Sequence, residues 1–118
     1  MNAAELFALL LVGHAIADYP LQGDFLARAK NRITPIQGVP WFHGLGWHSA
    51  IHGGAVGIIT GSLILGVAEF VIHCLIDDAK CTGQFGADPA RAFNIDQACH
   101  VACKAAWVAA LWFFGPLP

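Results

Sequence analysis

Charge is scarce in this chain. Asp, Glu, Lys and Arg make up 12% of its 118 residues, about half the ~25% usual in soluble domains. A small soluble bundle needs polar residues over much of each helix surface, and several long windows here contain almost none. That shortage points to lipid as the solvent. The six Lys and Arg form no stripe, and the net charge is −2 with histidines neutral, which argues against a nucleic-acid partner. Cys74, Cys81, Cys99 and Cys103 include no CxxC pair, so they read as small apolar side chains in helices. A disulfide framework is disfavoured, because the charge asymmetry described below puts these residues toward a reducing compartment. The first apolar run carries Glu5, His14 and Asp18 and lacks a basic leader or a small-residue cleavage site. It reads as a retained first span, not a removed signal. Internal repeats and low-complexity tracts are missing too.

What the chain does have is apolar surface, 57% of its residues, with a mean hydropathy of +0.59. Four apolar segments cover residues 3–19, 41–60, 62–77 and 95–114, each close to the ~20 residues that cross a bilayer core. Gly61-Ser62 is the turn available between the middle pair, which makes them a tight hairpin. Gly53, Gly57 and Gly61 recur at four-residue spacing, as do Ala98, Ala102, Ala106 and Ala110; such stripes let helix backbones approach closely in lipid. The expected fold is a single all-α domain, an integral-membrane antiparallel four-helix bundle.

Arg28, Lys30 and Arg32 lie in the first long loop, and Lys80 and Arg91 fall in the loop between the third and fourth segments. The other membrane side carries no Lys or Arg, so both loops are expected in the cytoplasm and both termini outside. Phe25, Leu26 and Ala29 beside Arg28 and Lys30 suggest a short interfacial helix, whereas "TPIQGVP" is expected to be extended. Trp41, Phe42 and Trp47 mark one interface; Trp112, Phe113 and Phe114 mark the other.

The polar residues within the spans are not scattered. Segment one has His14 and Asp18, segment two His48 and His52, segment three His73 and Asp77, and segment four Asp96 and His100. Every pair is i, i+4, which puts both side chains on one helix face, one turn apart. With twelve His plus Asp in the chain, any one histidine has roughly one chance in five of such a partner; five of the six have one. The pairs fall near the ends of segments one and three and the beginnings of two and four. In an antiparallel bundle these positions form one layer, on the cytoplasmic side.

Imidazole and carboxylate together suit zinc, with iron and manganese as alternatives, and eight such groups exceed what one tetrahedral ion uses. Two divalent ions are therefore expected. Asp18 and Asp77 also sit near helix C-termini, where the macrodipole disfavours an anion and a bound cation would reverse the penalty. Histidines and aspartates that merely pair with one another would suffice to explain any single pair, but they explain four in register poorly. One turn deeper, Glu69 and Lys104 match in depth, so a buried ion pair beneath the layer is expected. Gln22, Lys30 and Lys80 lie at or just above the layer, where the lysines could hold an anionic headgroup. Gln97 and His43 read as supporting or packing residues.

The motifs "HAIADYPLQGDFLARAK", "HSAIH", "HCLIDDAK" and "DQACH" together resemble a family of small multi-pass membrane proteins of bacteria and their phages, catalogued as domain of unknown function 3307. The resemblance spans His14 to His100, places the chain in the bacterial inner membrane, and implies no activity. A weaker similarity, limited to His and Asp set in short apolar helices, links the chain to membrane-bound metal-dependent hydrolases.

The expected function is a dimetal hydrolase acting on a lipid or lipid-linked phosphate or acyl ester at the cytoplasmic interface. Asp18 or Asp96 would serve as general base. Association with copies of itself is also expected. A metal carrier or sensor is the first alternative, but it needs a polar path to the outer face, and "GGAVGIITG" and "AAWVAALWFF" supply none. A bis-His haem electron carrier is the second, and it leaves the aspartates without a role.

Overall fold

The computed structural model describes residues 1–118 and contains five helices and no strand. Helix α1 (Ala3–Asp18) opens on a capping box: the Asn2 side chain accepts from the Glu5 backbone N–H, and the Glu5 carboxylate accepts from that of Asn2, both at 2.9 Å. It stops at Tyr19, ahead of Pro20, because the residue before a proline is pushed out of the helical region. A short helix α2 (Gly23–Ala29) follows. Helix α3 (Trp41–Thr60) starts after Pro40 and ends on Gly61, whose φ of +69° suits glycine. Ser62 at once caps helix α4 (Leu63–Cys81) by accepting from Leu65 N–H at 3.1 Å. Helix α5 (Pro89–Phe114) begins with its proline in the first turn, where the missing N–H costs nothing.

The four long helices form a closed ring in which α3 packs on α4 and α1, and α5 packs on the same two. Neighbours run antiparallel. The C-terminal carbonyl of Pro118 accepts from Ser62 Oγ and Ile64 N–H at the α3–α4 turn, while Lys80, at the other end of α4, reaches Asp96 near the start of α5. Helix α2 lies on α3, seated by Ala29 against Gly44.

Helices extend beyond the apolar segments that mark them in the sequence. Helix α4 runs to Cys81 and α5 starts at Pro89, not 95, so Lys80 and Arg91 occupy helix ends and the connecting loop is short. Apolar runs report where a helix is greasy, whereas backbone hydrogen bonds continue through its polar turns. The segment "TPIQGVP" is not extended: Val39 N–H bonds Ile36 carbonyl at 3.0 Å, in a turn through Gly38 at φ +80°. Glycine's access to positive φ outweighs the extended bias of the flanking prolines.

One small-residue stripe works as expected and the other does not. A Cβ on Gly53 would lie 2.6 Å from the Gly66 carbonyl oxygen, and one on Gly66 would lie 3.2 Å from Gly57 Cα. The α3 and α4 backbones therefore nearly touch. Gly53→Val is expected to lower the melting temperature in detergent, at a cost of about 3 kcal/mol, while Gly46→Ala, whose added carbon meets nothing within 4 Å, should not. Equal melting of the two variants would refute this. Ala98, Ala102 and Ala106, by contrast, are exposed. On α5 the inward positions are Asp96, His100 and Lys104, and a residue two places on lies about 200° around the helix.

The interior is more polar than the rim. Six buried residues are hydrophobic, with Leu10, Val56 and Leu65 forming the one apolar cluster, and twelve are polar or charged. Leu9, Val12, Ile16, Ile58, Leu63, Val67, Leu75 and Trp112 are among the large side chains that face outward. No single helix is long and apolar enough to cross a membrane; α1 and α2 pass that test only as a pair, bent by 84°. The cause is visible in the sequence. Helix α1 has 16 residues, about 24 Å against a core of ~30 Å, and α3, α4 and α5 carry the histidines, carboxylates and lysines that fill the centre.

Candidate metal centre

The inward faces of the four long helices supply the centre. On α3 the buried set includes Gly44, Leu45, His48, Ser49, His52, Gly53 and Val56, one face at helical period. On α4 it is Leu65, Gly66, Glu69, His73 and Asp77; on α5 Asp96, His100 and Lys104; on α1 Leu10, His14 and Ala17. The i, i+4 pairs of the sequence thus all turn to one interior, next to the same loops.

Three imidazoles and one carboxylate meet most closely. His48 Nε2 lies 3.3 Å from His73 Nε2 and 3.3 Å from Asp18 Oδ1, and His52 Nε2 lies 3.1 Å from the same oxygen. One candidate ligand atom from each of Asp18, His48, His52 and His73 falls within 4.8 Å of all the others. Donor atoms ~2.0–2.1 Å from a tetrahedral zinc are separated by roughly 3.3–3.4 Å. Three of the six separations lie close to that edge, and the others fall within 4.8 Å.

His73 is held in the form a metal needs. Its Nδ1 faces Glu69 Oε1 at 3.4 Å, so the ring proton sits on that side and the Nε2 lone pair points into the layer. Glu69 in turn accepts from Lys104 Nζ at 2.6 Å and from Trp107 Nε1 at 2.7 Å. The expected Glu69–Lys104 pair is present, and each side chain is 1% exposed. Glu69, His73 and His100 also lie close enough to hold an ion, but both Glu69 oxygens already hold cationic or polar donors. Trp107 was not among the sequence candidates, although its position three residues after Lys104 puts it on the same face.

A second cluster adjoins the first. His100 Nε2 lies 3.1 Å from Asp77 Oδ1 and 3.3 Å from Asp96 Oδ1. Asp77 Oδ2 accepts from Lys30 Nζ at 2.7 Å, and Asp96 Oδ2 lies 3.4 Å from Lys80 Nζ and accepts from Gln97 Nε2 at 3.2 Å. Asp96 Oδ1 is buried and has no hydrogen-bond partner.

Two sequence candidates take other positions. His14 belongs to neither ligand cluster. Gln97 donates through its Nε2 to Asp18 Oδ2 at 2.7 Å, which turns its Oε1 to His14 Nε2 at 3.0 Å. The His14 proton therefore sits on Nε2, the nitrogen facing the layer. Lys30 does not reach outward for a headgroup. It is 4% exposed, and its ammonium is shared between Asp77 and Gln22 Oε1, the latter also at 2.7 Å. Folding α2 back on α3 carries it inward. Gln22 is half-buried and caps the end of α1 through the Asp18 carbonyl. Lys80 keeps partial exposure, 5.9 Å over the Phe93 ring. Next to Lys30, Arg32 makes an outer ion pair with Asp78, at 2.7 and 3.2 Å. His43 is exposed and apart from the layer, and all four cysteines are free and half-buried.

Fold and site define an all-helical bundle assembled around a buried histidine–carboxylate centre. A family model described as "Protein of unknown function (DUF3307)" matches residues 6–115, and the chain belongs to that family. No curated protein and no solved structure matches it.

Proposed function

We propose that this protein is a membrane-embedded, metal-dependent hydrolase. It holds a divalent ion, zinc by preference, between Asp18, His48, His52 and His73, and acts on a lipid or lipid-linked phosphate or acyl ester at the cytoplasmic interface. The observation that carries the metal is the approach of three imidazole nitrogens and a carboxylate oxygen at ligand spacing, with Glu69 orienting one imidazole from behind. The membrane rests on the inverted distribution of side chains, with ionisable groups inside and large apolar ones outside, the arrangement lipid imposes.

A divalent ion would supply Lewis acidity and acidify a water, which with four protein ligands present would enter as a fifth ligand. The chain's own groups divide the remaining work. Asp18 is occupied by His48, His52 and Gln97, so of the two candidate bases Asp96 is the one with an oxygen, Oδ1, that makes no well-aligned hydrogen bond. Gln97 ties Asp18, Asp96 and His14 into one network. Lys80, partly exposed above Asp96, is the cation an anionic headgroup would meet.

The full chain purified in detergent without chelator should carry about one equivalent of zinc, and its hydrolysis of phosphate or acyl esters in mixed micelles should stop when the zinc is stripped. Metal content well below one equivalent would defeat the reading. A carrier or sensor is the second reading, favoured by closure of the layer: each ligand side chain of the first cluster is 9% exposed or less. Zinc uptake into proteoliposomes without ester hydrolysis would select it. A haem reading is disfavoured by the stacking of His52 on His73 and of His73 on His100, with ring centroids 3.7 and 4.2 Å apart.

A further inference from the structure

Lys30 is the feature the proposed chemistry does not use. It comes from outside the four-helix ring, at the C-terminal end of α2, yet its ammonium lies 2.7 Å from Asp77 Oδ2. Asp77 Oδ1, Asp96 Oδ1 and His100 Nε2 converge beside it. Within that trio Asp96 Oδ1 is buried and makes no well-aligned hydrogen bond, with His100 Nε2 3.3 Å away, and His100 Nδ1 on the far edge of the same ring is buried without a partner. A buried carboxylate oxygen without a well-aligned donor keeps a lone pair that a cation between Asp77, Asp96 and His100 would take up.

We propose that Asp77, Asp96 and His100 form a second divalent-cation site, and that Lys30 acts as a stand-in cation which keeps the second ion out while α2 is seated. This rests on the reading of the layer as a metal centre.

The charge balance supports it. Asp18, Asp77 and Asp96 face Lys30 and Lys80, one negative charge in excess when the histidines are neutral. A single divalent ion turns that into one positive charge. A second ion with Lys30 still in place would leave three, next to an ammonium bonded to the other oxygen of the Asp77 carboxylate. Withdrawal of Lys30 removes that repulsion and returns the full charge of the Asp77 carboxylate to the site.

The way it is held suggests how it leaves. Helix α2 packs on α3 through Ala29 and Gly44, and glycines with φ of +62° and +80°, Gly23 and Gly38, lie on either side of Lys30. The outer pair Arg32–Asp78 latches the same segment to the end of α4. Because the second site uses Asp96 Oδ1, an ion there would also take the oxygen proposed as proton acceptor. Lys30 thus keeps that base free.

The test is zinc titration of metal-stripped full-length protein in detergent, against a competing chelator. Wild type is expected to bind one ion tightly. Lys30→Met should bind two, the second at least about tenfold tighter than any second ion in wild type; Lys30→Arg should behave as wild type. Should Lys30→Met fail to fold, Gly44→Ala serves, since its added carbon would lie 2.6 Å from the Ala29 carbonyl carbon and unseat α2 with every charge retained. The same gain is expected. Adding Asp96→Asn to either variant should return the count to one. If wild type binds one ion and the folded variants bind no more, the stand-in role is overturned and the metal centre stands. If wild type binds none, both fall.

Discussion

Asp18→Asn is expected to abolish tight metal binding, lowering zinc affinity by well over about 100-fold. Loss of a group that merely orients a ligand typically costs 10–100-fold, and Asp18 is the one carboxylate within the first cluster. Its Oδ1 lies 3.1 Å from His52 Nε2 and 3.3 Å from His48 Nε2, and its Oδ2 accepts from Gln97. The amide of asparagine keeps the shape but brings no negative charge, and its NH2 would point at imidazole nitrogens or at the ion. The measurement is the zinc-induced rise in melting temperature. At 100 times the dissociation constant a bound ion stabilises a fold by about 2.7 kcal/mol; this increment should vanish in Asp18→Asn and in His52→Ala. It should persist in His43→Ala, which is exposed and outside the layer. Glu69→Gln should fall between, about 10–100-fold weaker, because His73 loses the carboxylate that fixes its proton on Nδ1. An unaltered zinc response in Asp18→Asn would refute the assigned ligand set.

Lys104→Met should be the most destabilising single change beneath the layer, by about 3–5 kcal/mol. The ammonium lies 2.6 Å from Glu69 Oε1, and both side chains are buried. Without it Glu69 keeps the Trp107 N–H and the His73 ring, too little for a full charge shielded from water. The companion Glu69→Gln/Lys104→Met removes both charges, and should recover a large part of the loss. Thermal or denaturant unfolding of the four proteins gives the coupling directly. A Lys104→Met variant as stable as wild type would mean that the pair contributes little and that Glu69 serves His73 alone.

The pairs His14/Asp18, His48/His52, His73/Asp77 and Asp96/His100 were legible because four residues bring a helix back to nearly the same face. Their common depth followed from antiparallel neighbours joined by Gly61-Ser62. Glu69 opposite Lys104 was legible for the same reason. Lys30 was not. Its burial depends on α2 folding back until Ala29 meets Gly44, a contact between residues fifteen apart that no periodicity signals. Nor could spacing show that Gln97 would turn the His14 proton toward the layer, since that choice is made by Asp18 accepting from the other end of the amide.

By itself the sequence determined the helices and their polar faces. Asn2 with Glu5, Pro20, Pro40, Gly61 with Ser62, and Pro89 act on the few residues beside them, so their effects can be read locally. The tertiary structure alone decided how those faces rotate against one another. It joined Asp18 to two histidines of α3 and one of α4, sent Lys30 rather than solvent to Asp77, and left the alanine face of α5 on the outside. The angle of a side chain about its own helix is fixed by 3.6 residues per turn. The angle between helices is set by contacts such as Gly53 on Gly66, where two backbones touch and neither sequence stretch contains the other.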